Sequence, residues 1–163
     1  LTDLQKYIAG HGTHWGDLPI YDANHLNVMK NVSYEKLFQL LAIGRFDYFH
    51  RGVTEIRAEQ KRYSNTLEIA DNVMLFYPLP VYFFVSKSRS ELAKKVKLGL
   101  VRAITDGSYH KLFMDNFGQD ITSANLESRQ LIVLKNEALP SDTRIDYLDW
   151  WLPKQFQTQI NSN

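Results

Sequence analysis

Residues 4–62 alternate short apolar runs with stretches that carry helix signals, and nothing else in the chain constrains its fold as much. The runs 4–9, 26–29 and 46–49 read as strands. Between and after them lie a helix over 15–23, a helix that Ser33 caps and Gly44 ends, and a polar helix over 55–62 opened by Thr54. Strands joined through helices pair in parallel, because a tight turn cannot bring a chain back in the same direction. The pattern predicts an α/β fold, a mostly parallel sheet with helices packed on its faces.

The second half continues the alternation with more aromatic content. Residues 67–69, 73–77 and 81–85 read as strands, with Pro78 and Pro80 keeping Leu79 out of a central ladder. Ser90 caps a long helix over 91–105, whose apolar side carries Leu92, Val96, Leu100, Val101 and Ile104 and which Gly107 closes. A shorter helix over 108–117 is expected to turn Tyr109, Leu112, Phe113 and Phe117 inward and to stop at Gly118. Residues 131–134 form one more candidate strand. The tail from Asp146 reads as a short helix with Trp150 and Trp151, followed by a polar, frayed end over 155–163. The chain therefore divides into an α/β part, 1–80, and a part over 81–163 that begins with the aromatic strand.

At 163 residues and 44% hydrophobic, the chain can bury one core or two small lobes. Nineteen basic side chains against eighteen acidic ones leave a net charge of +1, too little field to gather nucleic acid. Lys94, Lys95, Lys97 and Arg102 lack interleaved aromatics and read as a solvated helix face. With no cysteine there is no disulfide, no thiolate nucleophile and no cysteine zinc site. His11 and His14, with Asp17 nearby, match no established metal-ligand spacing, and no metal or other cofactor is expected.

The stretch GRFDYFHRGVTEI, residues 44–56, places an acid, a histidine and an arginine at the end of a short buried strand. Arg51 can grip an anionic ligand with its planar guanidinium, or pair with Glu55 four residues on. In the first case Arg51→Ala should abolish anion-dependent stabilisation and leave the unliganded melt almost unchanged. Asp47 is either a ligand contact or a hydrogen-bonded structural acid. Gly12 and Thr13, ahead of the first helix, offer backbone N–H groups to a carboxylate or phosphate, or merely shape a turn and cap that helix. Trp15 floors a cleft or packs in a core.

Residues 81–118, VYFFVSKSRSELAKKVKLGLVRAITDGSYHKLFMDNFG, resemble the C-terminal signature of the family-3 extracellular solute-binding proteins that serve polar amino acid importers. The features in common are an aromatic strand ending in Lys87, Glu91-Leu92 at a helix start, and Asp106-Gly107-Ser108-Tyr109 before Leu112-Phe113. Upstream, DLQKYIAGHGT is similar to the opening of that family's second lobe, and GRFDYF to its "GR-x-D" strand.

The resemblance covers residues 1–118. It implies a periplasmic-binding-protein-like fold of type II, with a second lobe and the C-terminal part of the first. It also implies a hinged, non-catalytic cleft for a small polar or anionic solute, amino acid or organic acid. The protein would be periplasmic or otherwise extracytoplasmic and would hand its solute to an ABC-type importer or a receptor.

Two departures matter. The first-lobe segment that carries the family's carboxylate clamp is not in this sequence, so residues 81–117 should expose apolar surface and favour self-association or strand exchange. Where the family holds an ammonium group with an acid, this chain has His50-Arg51-Gly52, with Glu55 the nearby acid that could take that role. The expected ligand contacts are Gly12, Thr13, Trp15, Asp47, Arg51 and Glu55. The alternatives are a sensing or interaction module of the same fold, and a small hydrolase built on His14, Asp17 and Glu55.

Overall fold

The structure, a computed structural model, describes residues 1–140, 143 and 152–161. Every ladder among them is parallel, as the alternation requires. Strand β1 (Ile8–Gly12) is central, flanked by β2 (Asn27–Asn31) and β3 (Tyr48–Phe49), giving the order β2-β1-β3. The register sets Ala9 beside Val28 and Tyr48. Helices α1 (Leu18–Ala23) and α2 (Tyr34–Ala42) make the crossovers, and α3 (Ile56–Tyr63) leads out of this sheet toward the next. A second, two-stranded parallel sheet joins β4 (Val73–Phe76) to β5 (Gln130–Val133). The long helices α4 (Ser90–Thr105) and α5 (Ser108–Ser123) lie between those strands in sequence, and α6 (Lys154–Asn161) follows them.

The boundaries of α2 are written in its letters. Ser33 accepts a hydrogen bond from the Lys36 amide at the N-terminus. At the other end Gly44 takes φ +68°, and the amides of Gly44 and Arg45 donate to the carbonyls of Leu41 and Leu40, closing the last turn. The apolar stripe between these caps buries Leu37 and Phe38 against the sheet.

The first strand does not follow its expected boundary. Residues 4–6 form a 3-10 turn, and β1 runs through the glycines that had been read as a turn. Those glycines answer to packing: a Cβ at Gly10 would collide with the ring of Phe46, and one at Gly12 with the indole of Trp15. Helix α1 consequently starts at Leu18 rather than at residue 15, and α3 begins at Ile56 without a cap from Thr54.

One core joins the two sheets. Ala9, Ile20, Tyr21 and Leu26 from the first meet Leu134, just past β5, with Leu75 and Ile132 packed against them. Buried Asn24 stitches this seam: its side-chain amide donates to the Lys135 carbonyl at 2.8 Å and its oxygen accepts from the Lys135 amide at 3.0 Å. A second cluster sets Leu152, Phe156 and Ile160 on Phe76 and Leu131. The segment expected to fray is thus an ordered helix with a buried face over 154–161, while Asp146, Trp150 and Trp151 lie outside the described residues.

The remaining segments depart most from expectation. Residues 67–69 and 81–85 join no ladder. Helix α5 passes through Gly118 to Ser123, since nothing there requires a positive φ and continuation carries the chain to buried Ala124 and Leu126. Neither α4 nor α5 has a buried residue. Leu112 and Phe117, expected to face inward, stay exposed, as do Leu92 and Val101, because the two helices have chiefly each other to pack against; the exposed apolar surface expected over 81–117 is present.

Candidate functional site

A cleft of about 1170 Å³ opens between the exit of β3 and the length of β4. Asp47, Tyr48 and Arg51 line one side, and Ile69, Leu75 and Tyr77 line another. Strand β3 is only two residues long, so the chain leaves the sheet at His50 and delivers polar side chains directly to this opening.

Behind the cleft wall lies a chain of polar contacts. His11, on β1, is almost wholly buried, and its Nε2 sits 3.2 Å from Asp17 Oδ1, an ion-pair distance that is poorly aligned for a hydrogen bond. The hydroxyl of Tyr77 donates to Asp17 Oδ2 at 2.7 Å and lies 3.2 Å from Nδ1 of His50. Since that hydroxyl proton goes to the carboxylate, the fitting His50 tautomer carries its proton on Nδ1 and donates to the phenol oxygen. The contacts tie the start of α1, the exit of β3 and the end of β4 to one point.

The electrostatics follow from this arrangement. Burial alone would push the Asp17 carboxyl up, but the close contact with His11 and the hydrogen bond from Tyr77 outweigh it and hold the pKa at about 2. Burial lowers His50 to about 4 despite the neighbouring Asp17, so its imidazole is neutral at pH 7. Desolvation, with Tyr21 and Asp17 adding to it, drives the Tyr77 phenol far up and keeps it a hydrogen-bond donor.

Arg51 occupies a second polar cluster. Its Nε and Nη2 grip the carboxylate of Glu59 at 2.9 and 2.7 Å, and Tyr34 donates to the same carboxylate at 2.6 Å. Glu55 adds an ion pair at 2.9 Å. The guanidinium also lies 4.9 Å from the Trp15 ring centre, and Trp15 stacks on Phe49. Burial opposes the charge on Glu59, but Arg51 and Tyr34 more than offset it and lower that pKa.

These contacts decide among the sequence expectations. Asp47 lines the cleft, and one of its oxygens accepts from the Ile8 amide at 2.7 Å, the structural role. Thr13 does not stand at a free helix end: its amide donates to the Asn31 carbonyl, and α1 begins five residues later. Gly12 is the seat for Trp15, and Trp15 is packed among His11, Phe49 and Arg51.

Arg51 pairs with Glu55 as its spacing allowed, but its stronger partner is Glu59. With two acids on one cation, a net positive grip on an anion is not available there. An unliganded melt indifferent to Arg51→Ala no longer follows either, because that change would strand a buried carboxylate.

Asp17 meets His11 rather than His14, so the hydrolase trio of His14, Asp17 and Glu55 is not assembled as expected. Among the described residues no three His, Cys, Asp or Glu side chains converge as a metal-binding group. Tyr77, His50 as its partner, Glu59 and Tyr34 were not legible as site residues. Tyr77 and Asp17 lie 60 positions apart, and only the packing of β4 beside the first sheet brings them together.

No protein-family model matches the chain, and no solved structure does. A glutamyl-tRNA reductase from Prochlorococcus marinus subsp. pastoris is 33% identical over 72 residues, which is 42% of this chain and 17% of that protein. The chain therefore spans only a small part of the length of this curated relative.

Proposed function

We propose that this chain belongs to a two-lobed, non-catalytic solute-binding protein of the extracytoplasmic family-3 type, which takes a small polar solute into the cleft beside β3 and β4. The observation that carries the reading is the cleft itself, which opens where the chain leaves β3 and runs along β4, in an all-parallel arrangement. Open α/β sheets bind ligands outside the carboxyl ends of their strands. Its walls combine apolar side chains with a few fixed polar groups, the usual makeup of a small-molecule site. Because Glu59 and Glu55 already neutralise Arg51, polar solutes fit better than strongly anionic ones.

Tyr48 supplies a specific handle: its hydroxyl is buried without a hydrogen-bond partner and its residue lines the cleft. Such a group gains when a ligand provides the missing partner. In this reading an importer in the cytoplasmic membrane, or a receptor, receives the loaded protein, and no covalent chemistry takes place.

The test is a thermal-unfolding screen of the chain with polar amino acids, organic acids and neutral polar solutes. A true ligand at ~100 times its dissociation constant stabilises by about 2.7 kcal/mol. Tyr48→Phe should weaken that ligand while leaving the unliganded melt unchanged or slightly raised. A screen at millimolar concentrations in which no compound moves the melt would sink the proposal.

A further inference from the structure

We infer that residues 81–85 are a self-pairing strand, through which two copies of this chain associate about a two-fold axis at Phe83. Residues 81–85, Val-Tyr-Phe-Phe-Val, are built of the residue types most enriched in strands and carry no charge. The first four are nevertheless solvent-exposed, Val81 at 95%, Phe83 at 71% and Phe84 at 101%, and Val85 is half-buried. Among the described residues none of their backbone N–H or C=O groups is hydrogen bonded. An uncovered apolar strand of this kind is a template for another strand.

The sequence around it selects a second copy. In antiparallel pairing centred on Phe83, Tyr82 faces Phe84 and Val81 faces Val85, so every cross-strand pair is apolar or aromatic. Pro80, which has no N–H, falls opposite Ser86 and closes the ladder at both ends. Lys87 falls opposite Leu79, so no like charges meet. A two-fold arrangement is self-complementary and closes at two copies.

The area is sufficient. At ~150–250 Å² for each aromatic side chain, and with exposures of 60%, 71% and 101%, Tyr82, Phe83 and Phe84 together present ~350–580 Å². Val81, 95% exposed, extends the same strip toward the roughly 800 Å² per partner of a standard interface. That reaches the upper end of the ~300–600 Å² usual for the largest apolar patch on a monomer.

Sedimentation velocity of the full chain across micromolar concentrations should show a reversible step from 19.0 kDa to a discrete species of twice that mass. Phe83→Lys, which sets like charges across the axis, should raise the dimer dissociation constant at least ~10-fold. Val32→Lys, at a residue 79% exposed on the other part of the molecule, should leave it unchanged. As the chain has no cysteine, Phe83→Cys under mild oxidation should yield a disulfide-linked dimer. A chain that stays monomeric throughout overturns the inference. So does association that Phe83→Lys leaves intact, or a monomer that instead co-sediments with phosphatidylglycerol vesicles.

Discussion

Helices α2 and α4 carry the same kind of apolar stripe and meet opposite fates. Leu37 and Phe38 of α2 are buried against β1 and β3, whereas α4 buries nothing. The difference lies in what each helix has opposite it. Helix α2 faces a sheet whose Gly10 lets Phe46 lie flat on the backbone, so an apolar surface waits for it. Helix α4 faces α5, a single helix with a stripe of its own, and two stripes can cover each other only in part. Amphipathic patterning thus specifies that a helix wants a partner and leaves open whether the same chain provides it.

The comparison predicts a steep contrast in mutational sensitivity, read by urea denaturation at concentrations where the chain is monomeric. The largest loss should come from Arg51→Ala, which leaves Glu59 buried without its cation and should cost about 3–5 kcal/mol. A loss under about 1 kcal/mol would mean that this cluster does not hold the α/β part together.

Next comes the pH dependence of His50. Its pKa falls from 6.5 to about 4 on folding, so the unfolded chain binds the extra proton between those values. Stability is therefore full above pH 6.5 and declines as pH falls toward 4, by on the order of 2–3 kcal/mol. His50→Gln should flatten that window. Asp17 acts lower on the scale: its depressed pKa gives stability that is present above about pH 4 and lost as pH falls toward 2.

Asn24→Ala should cost about 1–3 kcal/mol, since it leaves both the amide and the carbonyl of Lys135 without their partner at the seam of the two sheets. At the small end, Leu98→Ala on exposed α4 should change stability by no more than about 0.5 kcal/mol. A loss of 2 kcal/mol there would show that α4 is packed after all and would erase the contrast.

How much of this was legible varies along the chain. The α/β class, the parallel pairing and both ends of α2 were legible, because each rests on residues close in sequence: Ser33, Gly44 and the apolar positions between them. The glycines at 10 and 12 were misread as a turn: the ring that requires Gly10 belongs to distant Phe46, a contact that leaves no local signature, and the one that requires Gly12 belongs to Trp15, which had been read as the start of a helix. Of the candidate site, Arg51 with Glu55 was readable from an i, i+4 spacing, and Glu59 one turn further on was missed. Tyr77, which joins Asp17 to His50, had no readable signal at all.

Local order was fixed by the letters themselves: which segments turn into helices, where capping groups halt them, and the demand that successive strands run the same way. Short-range sterics and backbone hydrogen bonding act over a few residues and need no wider context. Only the folded arrangement decided which stripe finds a sheet, which arginine has its charge balanced by two acids, and which apolar segment, residues 81–85, is left uncovered. Those outcomes depend on surfaces meeting across long stretches of chain, where burial and desolvation weigh in and neighbouring letters carry no record of them.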